Sequence, residues 1–213
     1  MDFLIMLNRF FGLIIQHTHE AAAFVLIMWL IHLLNNLLGM KLNILGVIPR
    51  KKYSLLTGPL FSSFLHADLN HLFYNTFPLI IFSAIIFANG ITIATCTIMS
   101  ISILSGIIVW FIGRPGIHIG ASGLIMGFMG YLLYNSYYSP GFINIGIGLV
   151  VLYYFGSLLL SIFPDDLSAS FEGHAAGLIS GAIVAAYGQC LSFMYNISKP
   201  LTISIKTIAS YLT

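Results

Sequence analysis

Charged side chains are scarce in this sequence. Asp, Glu, Lys and Arg make up 7% of the 213 residues, whereas hydrophobic residues make up 59% and the mean hydropathy is +0.99. An ordinary soluble domain carries about 25% charged residues. Because so few charges cannot cover a water-exposed surface, the composition excludes a soluble globular protein. The net charge of +2 is small and scattered, which also excludes a nucleic-acid-binding surface.

Cysteine is scarce as well. The sequence has two, Cys96 and Cys190, both inside apolar stretches. Neither belongs to a CxxC pair or stands at ligand spacing from a histidine, so we interpret them as packing thiols. His66 and His71 are five residues apart and no HExxH pattern occurs, which disfavours a metal site. We therefore expect neither a metal nor a cofactor.

Long apolar runs, by contrast, are abundant in the sequence. A helix needs about 20 mostly apolar residues to cross roughly 30 Å of hydrocarbon. Short connections that contain Gly, Pro or Asn separate most of the runs, so neighbouring spans are antiparallel. The sequence therefore predicts one all-α polytopic domain over residues 1–213, a six-helix bundle in the lipid bilayer. The six runs are 21–38, 71–88, 91–112, 120–138, 142–163 and 174–194.

Three segments lie outside these runs. Residues 1–20 predict an interfacial helix. Residues 39–70 contain basic residues and prolines; since irregular backbone cannot face lipid, this long first loop must form an extramembrane or interfacial structure. Residues 195–213 are too polar for a seventh span, and we expect this tail at the interface.

Three polar residues stand at corresponding ends of alternate spans. His71 opens the second span, Ser122 the fourth and His174 the sixth, each about 50 residues after the previous one. Two crossings separate each pair, so all three lie near the same face of the membrane. They could therefore form one site.

Ser122 lies at a helix start in Gly120-Ala121-Ser122-Gly123. A serine in a membrane helix can simply bond a carbonyl one turn back. Here, however, the small neighbours leave backbone N–H groups free and allow another group to approach, which suits an oxyanion site. The glycines at 123, 127 and 130 also form a small-residue stripe typical of helix packing, and we expect both properties.

His174 is the candidate base for this serine, because an imidazole titrates near neutral pH. Steps of three and four place His174, Gly177 and Gly181 on one helical face, so the fourth and sixth spans can meet glycine to glycine. A histidine at a span end is alternatively a hydrogen-bonded interfacial residue. No carboxylate is well placed for a triad, which favours a Ser–His dyad.

His71 and Asn75 share a helical face and can both donate hydrogen bonds. They suit a developing oxyanion. This completes three motifs in order: FLH-x4-HLFYN at 64–75, GASG at 120–123 and GHAAGLISG at 173–181.

In these motifs the sequence resembles the rhomboid family of intramembrane serine proteases. The resemblance covers about residues 60–190, so we take 60–194 as the core of the domain. It implies that Ser122 is the nucleophile and His174 its base, and that His71 and Asn75 help the Ser122 N–H hold the oxyanion beside Gly120. It gives His66 a structural role.

One departure from the family concerns Met126, one turn after the nucleophile, where an aromatic residue is frequent. A thioether also contacts an imidazole, so we expect altered packing near Gly123 and His174 and no loss of activity.

The expected function is hydrolysis of peptide bonds in transmembrane segments of other membrane proteins, in the plasma membrane if the source is bacterial or archaeal. Two alternatives stay open: a catalytically inactive rhomboid-like protein that binds clients, and a small transporter with polar residues at its midplane.

Overall fold

The structure, a computed structural model, describes residues 2–163 and 170–188. These residues form eight α-helices connected by turns and short 3-10 segments. Their bounds are α1 (Asp2–Gln16), α2 (Thr18–Leu37), α3 (Lys52–Phe61), α4 (Leu69–Phe87), α5 (Ile91–Ile112), α6 (Ser122–Tyr138), α7 (Phe142–Phe155) and α8 (171–188).

Each of the six predicted spans corresponds to one helix of this structure. Four are long and apolar enough to cross a membrane by themselves: α2, α4, α5 and α7, the last continued by a 3-10 segment to Ile162. The other two are α6 and α8, which carry Ser122 and His174. α6 is short, with 17 residues, and polar residues occupy the first turn of α8. The protein is therefore an integral, multi-pass membrane protein with an all-helical bundle.

The structure tests the predictions for the N-terminal end of the chain but not those for its last residues. The expected N-terminal helix is present as α1, and α2 begins at Thr18, three residues before the predicted span. The predicted tail at 195–213 and the last residues of the sixth span lie outside the described residues. Cys190 lies there too, whereas Cys96 is exposed on α5, so our interpretation of Cys96 as a packing thiol was wrong.

The long first loop is folded. It contains a 3-10 turn at Lys41–Leu45, then α3, then a second 3-10 turn at Ser62–Phe64. Val47 pairs with His118 of the α5–α6 loop through two backbone hydrogen bonds of 2.8 and 3.0 Å. The loop is thereby attached to the segment that leads into Ser122. Its depth in the membrane stays a prediction.

Apolar side chains cover both the inside and the outside of the bundle. Leu124, Phe128 and Met129 of α6 have no exposed surface, which places this helix in the core. On the outside, Leu37 is 78% exposed and Tyr153 82% exposed. A soluble protein does not expose large apolar side chains on this scale, so the outer surface is suited to lipid.

Glycines bring α6 and α8 into backbone contact. A Cβ atom on Gly177 would collide with the carbonyl oxygen of Gly123, and one on Gly181 would collide with that of Gly127. A Cβ on Gly130 would likewise collide with the carbonyl of Leu178. The spacing of small residues predicted this glycine contact. It allows two polar helix starts to lie side by side at one end of the bundle.

We expect Gly181→Ala to lower the free energy of unfolding by about 1–3 kcal/mol, because the added methyl group forces two backbones apart. Unfolding in mixed micelles of increasing denaturing detergent measures it.

Gly146→Ala is the matched control, because a Cβ there meets nothing within 4 Å. Alanine is the better helix former by about 1 kcal/mol, so this variant should be as stable as the parent or more so. Equal stability of the two variants would contradict the close contact at Gly181.

Candidate active site

Ser122 is the first residue of α6 and is half-buried. Residues at a helix start present backbone N–H groups that have no carbonyl partner within the helix. The preceding Gly120 has φ +127°, in the left-handed region that favours glycine, and its N–H donates to the carbonyl of Ser62 at 2.9 Å. A Cβ on Gly120 would lie 2.6 Å from the ring of His71. Glycine is therefore required here by both conformation and space.

The first turn of α4 places His71 and Asn75 near this loop. Asp68 caps the helix, and its carboxylate accepts from the His71 N–H at 2.9 Å. His71 then packs on Gly120, two residues before Ser122. Asn75, one turn later, is 7% exposed, and its Nδ2 makes no hydrogen bond with any described residue. Because a buried amide normally finds a partner, this one is available to a ligand.

His66 supports the loop that precedes Ser122. It is fully buried, and its Nε2 accepts from the Ala121 N–H at 3.3 Å. The ring meets that of His71 edge to face, with centroids 5.3 Å apart. An acceptor Nε2 requires the ring proton on Nδ1 and a neutral imidazole. Burial lowers the pKa of His66 to about 3, and the nearby His71 acts in the same direction.

His174 lies in the first turns of α8, beside the start of α6. Its Nδ1 is 3.2 Å from the carbonyl oxygen of Ser161, in the 3-10 segment that continues α7. A carbonyl can only accept, so Nδ1 carries the proton and Nε2 is left with a free lone pair. Within the described residues no hydrogen bond joins Ser122 Oγ to His174; such bonds are often long before a substrate binds.

The structure brings the other predicted residues to the same end of the bundle. A Cβ on Gly123 would lie 3.3 Å from the Gly173 carbonyl, next to His174. Met126 is 2% exposed and belongs to the core. Its expected contact with His174 stays a prediction.

A cavity of about 40 Å³ adjoins Ser122, and apolar and polar groups both line it. The polar part includes the hydroxyls of Ser62, Ser105 and Ser170 and the imidazole of His118. A water needs roughly 10–15 Å³ of such space and two or more polar partners. The cavity therefore has room for water beside the candidate nucleophile.

Several contacts in this region could not be derived from the sequence. Glu172 pairs with Arg114, whose Nε is 2.6 Å from Oε1. His118 hydrogen-bonds Ser170 at 2.7 Å. The Ser161 carbonyl has no side-chain signature and could not have been found.

The fold and this site define a multi-pass helical membrane protein with a half-buried serine, a half-buried histidine and a buried amide at one end of the bundle. The sequence matches the rhomboid domain over residues 49–189, about two thirds of the chain. The chain belongs to the rhomboid family.

The relatives that it resembles are mycobacterial. An uncharacterized protein of Mycobacterium tuberculosis and one of Mycobacterium bovis are each 36% identical over 173 residues, covering 77% of this chain and 71% of the relative. An uncharacterized protein of Mycobacterium leprae is 34% identical over 173 residues, covering 77% and 68%. Bacterial relatives are consistent with the plasma membrane.

The burial of His66 makes the stability of the folded protein depend on pH. Its pKa is lower in the folded protein, about 3, than its ordinary value of 6.5. The unfolded state therefore binds more protons below pH 6.5, so the contribution of His66 to stability is complete above pH 6.5 and is lost as the pH falls toward 3.

We expect His66→Gln, which can still accept from Ala121 but does not titrate, to lose less stability between pH 6.5 and 4.5 than the parent. Thermal unfolding at several pH values measures this. Parallel curves for the two proteins would contradict a buried neutral His66.

Proposed function

We propose that this protein is an intramembrane serine endopeptidase with a Ser122–His174 dyad that cleaves peptide bonds in transmembrane segments of membrane proteins. The observation that carries the proposal is the hydrogen-bond pattern of the His174 ring. Its Nδ1 proton is engaged by the Ser161 carbonyl, so Nε2 is the basic nitrogen, on a helix whose backbone touches the helix that Ser122 begins.

Nucleophilic attack follows from these groups. His174 Nε2 takes the proton of Ser122 as Oγ attacks the substrate carbonyl, and the C=O electron pair moves to oxygen. His174 returns the proton to the leaving amine, which breaks the C–N bond. A water then attacks the acyl-enzyme in a second cycle of the same proton transfers, which releases the acid and restores Ser122.

The oxyanion needs donors that are in place before the reaction. The buried Nδ2 of Asn75 has no partner among the described residues, and the N–H groups at the start of α6 have none within their helix. His71 lies against Gly120 at the same place.

Water supply is the second requirement of hydrolysis within a membrane. The 40 Å³ cavity beside Ser122 has hydroxyls in its wall and is large enough to hold the deacylating water. For substrates, the family resemblance favours a small residue before the cleaved bond and a helix that unwinds easily.

An inactive client-binding protein would have the same fold but would not hydrolyse peptide bonds. The transporter alternative requires polar residues along a path through the bilayer. Here Ser122, His174 and Asn75 gather at one end of the bundle, which disfavours it.

The first test compares purified parent with Ser122→Ala and His174→Ala on a transmembrane substrate. We expect each substitution to lower kcat by at least about 10³-fold, because each removes a member of one proton-transfer unit. Ser122→Ala should also abolish labelling by a fluorophosphonate. Ser136→Ala is the control, since Ser136 bonds carbonyls at the far end of α6. Cleavage by the Ser122→Ala protein at the parental rate would refute the protease.

The second test concerns the oxyanion donor. Asn75→Ala should lower kcat by about 10²-fold and leave KM nearly unchanged, because the donor acts mainly in the transition state. Asn89→Ala, a substitution near the end of α4, should have no such effect. An unchanged kcat in Asn75→Ala would remove Asn75 from the oxyanion site.

A further inference from the structure

An ion pair joins the loop before Ser122 to the helix that carries His174. Glu172 Oε1 accepts from Arg114 Nε at 2.6 Å and from the Arg114 backbone N–H at 3.2 Å. Oε2 accepts from Nη2 at 3.3 Å. The Glu172 side chain is 5% exposed, and that of Arg114 is 37% exposed. Both oxygens of a nearly buried carboxylate are thus held by one arginine.

A second connection joins the same two segments. His118 Nε2 is 2.9 Å from the Arg114 carbonyl and must donate to it, so the neutral ring accepts at Nδ1 from the Ser170 hydroxyl, 2.7 Å away. Ser170 Oγ in turn accepts from the Gly173 N–H at 3.2 Å. Ser170 is therefore the N-cap of α8.

These contacts hold two segments together at the residues that precede the proposed dyad. Arg114 and His118 belong to the loop that ends at Ser122. Ser170 and Glu172 belong to the cap and first turn of α8, two to four residues before His174. Arg114 also lies over the ring of Phe171, 4.7 Å from its centroid. The direction and register of both helix starts are thereby set relative to each other.

We propose that Arg114 and Glu172 are positioning residues that hold the start of α8, and with it His174, at the correct place relative to Ser122. The inference rests on the proposed protease function. The pair joins the α5–α6 loop to the first turn of α8. It acts by restricting where the base can lie, and an error of about 1 Å in such placement can cost about 10²-fold in rate.

The test uses the full chain in detergent with a transmembrane substrate. Glu172→Gln and Arg114→Gln should each lower kcat by roughly 10- to 100-fold with KM nearly unchanged. Labelling of Ser122 by a fluorophosphonate should slow by a similar factor. In the double variant we expect no loss beyond that of Arg114→Gln, because this substitution already removes the connection that Glu172→Gln removes.

Arg50→Gln is the matched control. Arg50 is an exposed arginine whose Nη1 donates to the Phe111 carbonyl at 3.2 Å, near the end of α5, and among the described residues it forms no hydrogen bond or ion pair with α8. Its kcat should stay at the parental value. Arg114→Lys covers the case in which the other variants fold poorly: it keeps the charge but loses the two-point contact, and should show an intermediate kcat.

Three results would overturn the proposal: a parental kcat in Glu172→Gln, a parental kcat in Arg114→Lys, or losses that add in the double variant. Hydrogen exchange over residues 170–178 supplies a readout that needs no activity. Exchange should be faster in Glu172→Gln than in the parent and in Arg50→Gln. If the parent itself neither cleaves nor labels, the protease function fails, and the exchange result alone decides whether the pair holds α8.

Discussion

The contact between α6 and α8 is the constraint on which the rest of the site depends. Side chains larger than hydrogen at Gly177 or Gly181 would occupy the positions of the Gly123 and Gly127 carbonyls. In a bilayer, where lipid is as apolar as leucine, such close van der Waals packing is a main source of helix association. The same close backbone contact also places the starts of α6 and α8, which carry Ser122 and His174, next to each other.

Periodic features of the sequence predicted most of the helical framework. Apolar runs located the starts of the six helices to within a few residues. The order of crossings placed His71, Ser122 and His174 at one end, and the glycine spacing indicated the contact between α6 and α8. These properties depend on regular geometry, which a sequence records directly.

The connections between loops could not be predicted. Arg114 and Glu172 are 58 residues apart, and His118 and Ser170 are 52 apart. Neither pair shares a helix, so no spacing rule relates its members. Glu172 lies two residues before His174, but its partner comes from the α5–α6 loop. Side-chain direction in an irregular segment is set by tertiary packing, which has no period to detect.

The Ser161 carbonyl, as the acceptor of His174, limits what mutagenesis can reveal. In a serine–histidine–aspartate triad the group that orients the imidazole is a side chain, so a substitution can delete it. Here the corresponding acceptor is a main-chain oxygen, which every amino acid carries. A saturation screen of this chain therefore cannot remove the acceptor of His174, and only an ester bond at that position or a shift of the 3-10 segment would reveal its effect.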